Sequence, residues 1–429
     1  MAYVRYKQIM IRDKATSTIQ PVMLNDIDNS FIVLNELKEG FIPLQDIENV
    51  LRYPICKRFF KVFLLHEDET IKMDITDYVK IDGSLEKTYQ QGQTRNLSLT
   101  LINTNNIWNP SPHNGKLFAN TKFLLQLGVQ LHDTYYWRDE GVFVCLDPNL
   151  NNEDANKSVS IQLHDKFALV DGTVSGIVEE QYEIPRGTNI FKAVRDLLGL
   201  SRDRLGNPYD KKPIVFPEKY RDSVTSYTIH KDANSNIGEI LIDLANMISC
   251  DIFYDESGYL TFRDILDDID IHNREVKWMY NIDETETFQV SRQDKWSEIK
   301  NRIVVLGANI NGALCRGEAE NSNPNSKYNI NGNFGIHTEV IEDNLINSNI
   351  FCKQRAQYEL QKNILKWTTI SFSSIYIPHL KPQDLIMWSF KDYGYFNEYF
   401  VVQSVTIPLN PVELMNVNVV ALDELPIKM

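Results

Sequence analysis

The chain has 429 residues, 43% hydrophobic and 24% charged, a length and composition that fit two to four globular domains with real cores. A net charge of −14, a pI of about 5.1 and no basic run argue against counterion-driven binding to a nucleic-acid backbone. No apolar run reaches the roughly 18 residues of a membrane span, the first residues lack the apolar core of a secretory signal, and Cys56, Cys145, Cys250, Cys315 and Cys352 are odd in number and never form C-x-x-C, against both a disulfide framework and a zinc site.

Residues 1–60 show no clear period and read as an N-terminal arm or extra lobe, with a short helix over 42–51 after Pro43. From 61 to 170, short alternating segments predict strands at 61–65, 71–75, 96–101, 123–127, 142–145 and 159–163, the spacing of a β-barrel or sandwich. Within 96–101, Leu97, Leu99 and Leu101 share one face, and Ser98 and Thr100 the other.

Between 171 and 265 the period becomes helical. Thr188 is placed to cap a helix over 190–198, and Gly199 to end it. A second helix starts at Asn236, with Glu239 at capping-box spacing and an apolar stripe of Ile237, Ile240, Leu241, Leu244, Met247 and Ile248. A hairpin over 252–262 follows, Gly258 supplying the positive-φ turn position. Leu244 and Met247 are expected to face Phe253 or Phe262.

Residues 266–429 return to β character. The firmest strand is 298–306. The Asn- and Gly-rich stretch 309–335 has no hydrophobic period and predicts an exposed, mobile loop that the barrel does not need. A helix over 348–365 leads into Pro378-His-Leu-Lys-Pro-Gln-Asp384 and short β-branched strands up to residue 420. The fold class is therefore mainly β with an α+β insert: a first barrel at 61–170, the insert at 171–265, and a second barrel with a helix at 266–429.

The chemistry-bearing residues form no convincing constellation. The eight histidines (His66, His113, His132, His164, His230, His272, His337, His379) include no H-E-x-x-H. Asp268, Asp270 and His272 alternate on one face and could hold a hard cation, but no EF-hand glycine or closing glutamate accompanies them, and a solvated acidic face is the favoured reading. His132-Asp133 with Ser111 or Ser160 lacks a G-x-S-x-G elbow. Gly307, Gly312 and Gly317 do not have phosphate-loop spacing. Tyr135-Tyr136-Trp137, Trp108 and Tyr393-Gly-Tyr-Phe396 could stack on a glycan, but they suit barrel ends and subunit interfaces better. No catalytic, cofactor-binding or metal residue is assigned, and no enzyme is expected.

Three stretches carry a resemblance. They are Ile75-Thr-Asp-Tyr-Val79 through Gly83-Ser-Leu-Glu86 to Asn96-Leu-Ser-Leu-Thr-Leu101, the helix and hairpin of 240–262 with its Asp-Glu-Ser-Gly-Tyr-Leu turn, and the C-terminal helix with the strands after it. In this order they resemble phage tail baseplate hub proteins, the tail hub family of contractile-tailed phages and related injection systems. The resemblance covers about 65–425. It implies two tail-tube-like barrels per chain, so that a homotrimer presents six to a tail tube or tube-initiator protein and three to a central spike or tip. It also implies contact with the tape-measure protein, DNA only as passing cargo, a place in the virion tail and assembly in the host bacterial cytoplasm. An acidic or neutral channel wall would let DNA slide, its acid coming from strands at 71–101 and 298–306. The family sometimes adds a peptidase or lysozyme domain; with the chain ending at Met429, none is expected. The alternative is a host-glycan-binding adsorption protein of the tail tip.

Overall fold

The computed structural model describes residues 8–12, 19–23 and 58–421, apart from 112–115, 132–133, 154–155, 249, 265–274, 281–285, 295, 311, 325, 344–345, 347 and 365–367. The helix expected over 42–51 lies outside the described residues. Two strands, β1 (Gln8–Arg12) and β2 (Ile19–Met23), form an antiparallel hairpin.

The N-terminal β half contains β3 (Arg58–Leu65), β4 (Ile71–Asp74), β5 (Ser84–Thr88), β6 (Arg95–Ile102), β7 (Lys122–Leu131), β8 (Thr134–Cys145), β9 (Asn149–Glu153) and β10 (Asn156–Asp165). All the strands expected there are present, several of them longer than the apolar run that betrayed them. In β6 the expected alternation holds: Leu97, Leu99 and Leu101 are fully buried, and Ser98 and Thr100 are half-buried on the opposite face. The β1 strand adds to β8 at Gln8↔Trp137 and Ile9↔Tyr136.

An α+β insert follows, made of β11 (Tyr182–Ile184), α1 (Ile190–Leu198), β12 (Ile229–Lys231), α2 (Ile237–Met247) and the hairpin β13 (Cys250–Tyr254) with β14 (Leu260–Asp264). The cap of α1 is Asn189, not Thr188. The Asn189 side chain accepts from the Lys192 backbone N–H at 2.8 Å, while the Thr188 hydroxyl donates to the Pro185 carbonyl at 2.7 Å. The α2 cap is as expected, with Asn236 Oδ1 accepting from the Glu239 backbone at 2.8 Å and Asn236 Nδ2 donating to the Glu239 carboxylate at 2.9 Å. Leu244 is fully buried in one apolar cluster with Phe262. Phe253 points away from that cluster, because alternation along β13 turns it to the other face, under the Arg263 guanidinium 5.0 Å from its ring.

The C-terminal half holds β15 (Val276–Met279), β16 (Thr287–Asp294), β17 (Arg302–Ile310), β18 (Ala313–Glu320), β19 (Thr338–Glu342), α3 (Asn349–Ile364), β20 (Thr368–Ser374), β21 (Leu385–Phe390), β22 (Tyr395–Pro408) and β23 (Met415–Ala421). Here two expectations are corrected. The strand expected at 298–306 is β17, displaced along the chain because Trp296–Glu298 forms a 3-10 turn. It does not join the second barrel but centres a separate three-stranded sheet, β18-β17-β19, covered by α3.

The stretch 309–335 is also not an exposed loop. Residues 313–320 are β18, paired with β17. Beyond them Asn321, Asn323, Ser326 and Tyr328 are buried. Asn301, fully buried, donates to the carbonyls of Tyr328 at 3.0 Å and Gly335 at 2.7 Å and accepts from His337 N–H at 2.7 Å. Asparagine amides here take the place of a hydrogen-bond ladder, so a polar sequence can be buried once its donors and acceptors are matched.

The two β halves are not separate bodies. One sixteen-stranded sheet runs β16-β20-β23-β22-β5-β6-β10-β8-β7-β3-β4, with β9, β15, β21 and the first hairpin branching from it. The seam is the antiparallel pair β22 and β5, from Ser404↔Thr88 to Pro408↔Ser84. A single apolar core passes behind this seam, from Leu85 and Leu99 to Val405, Phe372 and Trp388.

Candidate functional site

The face of the joined sheet opposite this core is made mostly of small uncharged polar side chains. It follows directly from strand registers. On the N-terminal side Ser160 opposes Thr100 and Asn149, Gln162 opposes Ser98, and Ser98 opposes Ser84. Across the seam Ser404 opposes Thr88 and Thr406 opposes Glu86. On the C-terminal side Thr406 opposes Asn416, Asn418 opposes Ser404 and Ser371, and Ser371 opposes Ser291. The strip thus crosses eight strands, in the order β16-β20-β23-β22-β5-β6-β10-β9.

Its members hydrogen-bond to one another. Asn418 Nδ2 donates to Ser404 Oγ at 2.6 Å and its carbonyl accepts from Ser371, while Ser373 Oγ donates to Asn416 Oδ1 at 2.8 Å. The Ser84 and Ser98 hydroxyls lie 3.2 Å apart. Such bonds across strands fix short side chains flat on the sheet. Among the described residues no lysine or arginine lies on this strip, and Glu86 is exposed on it. A surface of this kind offers no fixed cations to a polyanion.

The flanks of the same face are covered. On one side Val144 of β8 enters the apolar cluster of the insert with Phe167, Ile240 and Leu244. On the other side Leu385, Val401 and Val420 pack beneath Cys352, Ala356 and Leu360 of α3. Close approach of α3 requires glycine: a Cβ on Gly317 would lie 2.1 Å from the Lys353 nitrogen, and one on Gly307 2.3 Å from the Ile346 carbonyl oxygen. That is the role of two of the glycines whose spacing had excluded a phosphate loop.

Behind the strip, buried ion pairs tie the insert to both halves. The hairpin turn between β13 and β14 inserts Glu256 among Arg95 at 3.2 Å, Arg138 at 3.3 Å and Lys381 at 3.8 Å. Burial opposes its ionisation, but these cations with Lys87 outweigh it and hold the carboxyl well below the usual range. Arg138 also donates to the Pro378 carbonyl at 3.1 Å and lies 3.8 Å from Glu140, which pairs with the buried Lys87. Two of the stretches singled out in the sequence, the Asp-Glu-Ser-Gly-Tyr-Leu turn and Pro378–Asp384, therefore meet at Glu256. Asp384 accepts from the Lys381 backbone at 2.8 Å; burial pushes its pKa up to about 6, against the pull of Lys381 and Arg138.

A second network holds the other side of that turn. Lys166, fully buried, lies 2.7 Å from both Glu69 and Asp210 and donates to the Gly258 carbonyl at 3.0 Å. Lys122 and Lys212 reach Glu69 at 3.1 and 2.6 Å. Burial would raise the Glu69 pKa, but the three lysines bring it down to about 2. Gly258 has φ 75°, and a Cβ there would fall 2.9 Å from Val142. Every carboxylate named in the two networks faces a cation or backbone donor, an arrangement that fixes three units against one another.

The other sequence candidates are scattered. Asp268, Asp270, His272, His132, Asp133, His113 and Cys56 lie outside the described residues. Ser160 belongs to the strip, and Ser111 sits in a loop, its backbone N–H donating to the Leu117 carbonyl at 3.1 Å. His379 is packed on Trp278 with its Nε2 2.9 Å from the Lys277 carbonyl, and burial lowers its pKa to about 4. Among the described residues no group of three or more His, Cys, Asp or Glu is placed to hold a metal, and no helix is long and apolar enough to cross a membrane. Cys145, Cys250, Cys315 and Cys352 are buried. Trp108 and Trp137 are buried, whereas Tyr393 and Phe396 are exposed at the β21–β22 turn. The strip itself escaped sequence reasoning: Ser98 and Thr100 were placed on one face, but nothing local showed that Asn416 and Ser371 continue it.

No protein-family model matches the sequence, and no curated protein matches it. Solved structures do. The 43 kDa tail protein of prophage MuSo2 from Shewanella oneidensis superposes with a TM-score of 0.55 at 12% identity, over 86% of this chain and 100% of that one. The tail protein from Neisseria meningitidis MC58 gives 0.56 at 7% identity, over 86% and 98%. Prophage tail protein gp18 from Listeria monocytogenes EGD-e gives 0.50 at 12% identity, over 84% and 94%. The chain has the mainly β fold of these phage and prophage tail proteins.

Proposed function

We propose that this chain is a structural hub of a phage tail or related injection machine, a homotrimeric ring whose channel wall is the polar strip. The observation that carries this reading is the strip's composition and continuity: one hydrogen-bonded surface, without lysine or arginine among the described residues, crosses both β halves, while the ion pairs that fix the halves lie behind it. DNA passing such a wall meets no cation that would hold it.

Strand spacing argues for three copies. Eight strands at about 4.8 Å give each copy an arc of about 38 Å. With strands tilted about 40° to the ring axis each arc widens to about 50 Å, so three arcs close at a backbone diameter of about 48 Å, and inward side chains remove about 10 Å, leaving about 38 Å. Two copies would leave about 22 Å, little more than the width of a bare duplex, so three is the smallest ring that leaves clearance. In this reading the ring meets the tail tube or a tube initiator on one side and a spike or tip on the other, and its lumen meets the tape-measure protein. The seam networks serve as rigid joints, and the chain is not a catalyst.

Light scattering with electron microscopy tests the proposal. The expected result is a trimer that survives dilution and shows an open central channel. A strictly monomeric species at micromolar concentration, also after adding tube protein, counts against it. The exposed Tyr393 and Phe396 favour a second reading, a tip protein that stacks on host glycan. A glycan array separates the two, since the hub reading expects no binding.

A further inference from the structure

Lys87 of β5 and Arg95 of β6 are paired directly across the two strands, and both are buried. Like charges so placed repel, and sheets avoid them. Lys87 alternates with Glu86 and Thr88 of the strip, so the two cations lie on the opposite face of the sheet. There they line a cleft of about 430 Å³, its open mouth included. Phe253, Glu256 and Arg263 of the β13–β14 hairpin form a second wall, and Lys381 with Pro382 a third. The N-terminal half, the insert and the C-terminal half each supply one side.

The cations of this cleft outnumber the carboxylates that touch them. Among the described residues, Lys87, Arg95, Arg138 and Lys381 share Glu140 and Glu256. Two further carboxyls lie close by, but backbone donors occupy them. Asp165 accepts from the N–H groups of Thr94 and Arg95 at 2.7 and 3.0 Å, and Asp384 from that of Lys381 at 2.8 Å. Burial raises the pKa of both acids. Burial also lowers the pKa of Lys87, and Arg138 and Arg95 add to this against the pull of Glu140. Arg95 Nε is buried and has no acceptor among the described residues. Lys381 is exposed and comes only within 3.8 Å of Glu256. Arg263, 3.1 Å from Asp251, lies over the rings of Phe253 and Tyr89, 5.0 and 5.9 Å from their centroids, which fixes its guanidinium on an apolar wall.

We propose that this cleft binds a small oxyanion, a phosphate group, which joins the three units through Arg95, Arg263 and Lys381. Guanidinium forks match the oxygens of a phosphate, and an ammonium adds a compact charge. A ligand held by three units binds the folded joint and not the unfolded chain, so it stabilises the joint. The site lies behind the strip and within one chain, so it stands or falls independently of the ring.

Lysine acetylation read by mass spectrometry tests this on the full chain, with inorganic phosphate replacing chloride at constant ionic strength and neutral pH. The expected result is that acetylation of Lys381 slows at least about threefold at saturating phosphate, while that of Lys192, exposed on α1, is unchanged. The melting temperature should rise over the same range of phosphate and level off. Lys381→Gln, at an exposed position, should raise the half-saturating concentration about tenfold. Lys381→Arg keeps the charge and should keep the saturation, as should Lys192→Gln. Glycerol phosphate in place of the free ion separates two sources: protection by both admits phosphate esters, and protection by inorganic phosphate alone restricts the cleft to the ion. Phosphate also strengthens folded proteins generally, by exclusion from their surface. Equal slowing at Lys381 and Lys192, or a rise in melting temperature that persists unchanged in Lys381→Gln, would therefore overturn the site. No response in either measurement overturns it too, and protection of Lys381 without a rise in melting temperature overturns the joining role.

Discussion

Glu256 contacts cations from the N-terminal half, Arg95 and Arg138, and one from the C-terminal half, Lys381. Removing one member of a buried pair leaves uncompensated charge and costs about 3 to 5 kcal/mol. Glu256→Gln should therefore lower stability by at least about 3 kcal/mol in denaturant unfolding; a loss under about 1 kcal/mol would mean that the seam relaxes around the amide. Glu69 supplies a pH signature. Its folded pKa, about 2, lies below the ordinary value of 4.5, so its contribution is complete above about 4.5 and disappears as the pH falls towards 2. The difference corresponds to about 3 kcal/mol. Asp384 acts in the opposite sense: with its pKa raised to about 6, it makes the folded state gain stability as the pH falls from 6 to about 4. Stability measured between pH 7 and 2 should have a shallower acid limb in Glu69→Gln, with the part due to Glu256 remaining, and should lose its gain between 6 and 4 in Asp384→Asn. Unchanged profiles would show that neither group titrates as its surroundings indicate.

At the scale of elements, the most informative segment is 321–335. Its asparagines and serine satisfy one another and the backbone, and Asn301 ties it to β17. Asn301→Ala should cost about 1 to 3 kcal/mol, since it removes the buried amide that donates to the Tyr328 and Gly335 carbonyls. Deleting 321–335 should cost more, because Tyr328 leaves the α3 cluster with it. A deletion with unchanged melting temperature would restore the dispensable-loop reading. In the insert, Leu244→Asp places an unpaired carboxylate beside Phe262 and should destabilise by about 3 to 5 kcal/mol in the same assay.

At the scale of the whole molecule, the proposed conduit depends on what the strip lacks. Ser98→Arg with Asn416→Arg would place two cations per copy on a wall that carries none among the described residues. The wild-type assembly should show no salt-dependent DNA binding, and the double variant should acquire it, with affinity falling as salt rises. Strong salt-dependent binding by the wild type would overturn the conduit. Of the strands expected to bring acid to the channel wall, β5 places Glu86 on the strip among the described residues, while β17 lies under α3, away from it.

The sequence by itself determined the local elements. Alternation in 96–101, the Asn236–Glu239 cap and Gly258 each act over a few residues, and their physics is complete within that span. It also showed the order β half, insert, β half, because period switches with secondary structure. Only the tertiary structure decided the rest. The seam β22–β5 joins residues more than three hundred positions apart, and no local pattern encodes which edge finds which. Burial of 321–335 depended on hydrogen-bond matching with Asn301, invisible to a hydropathy reading that equates polar with exposed. The strip is the extreme case. Ser, Thr and Asn alternating with Leu and Val read as an ordinary solvent face in each strand alone, and become one neutral surface only when eight strands from both halves lie side by side.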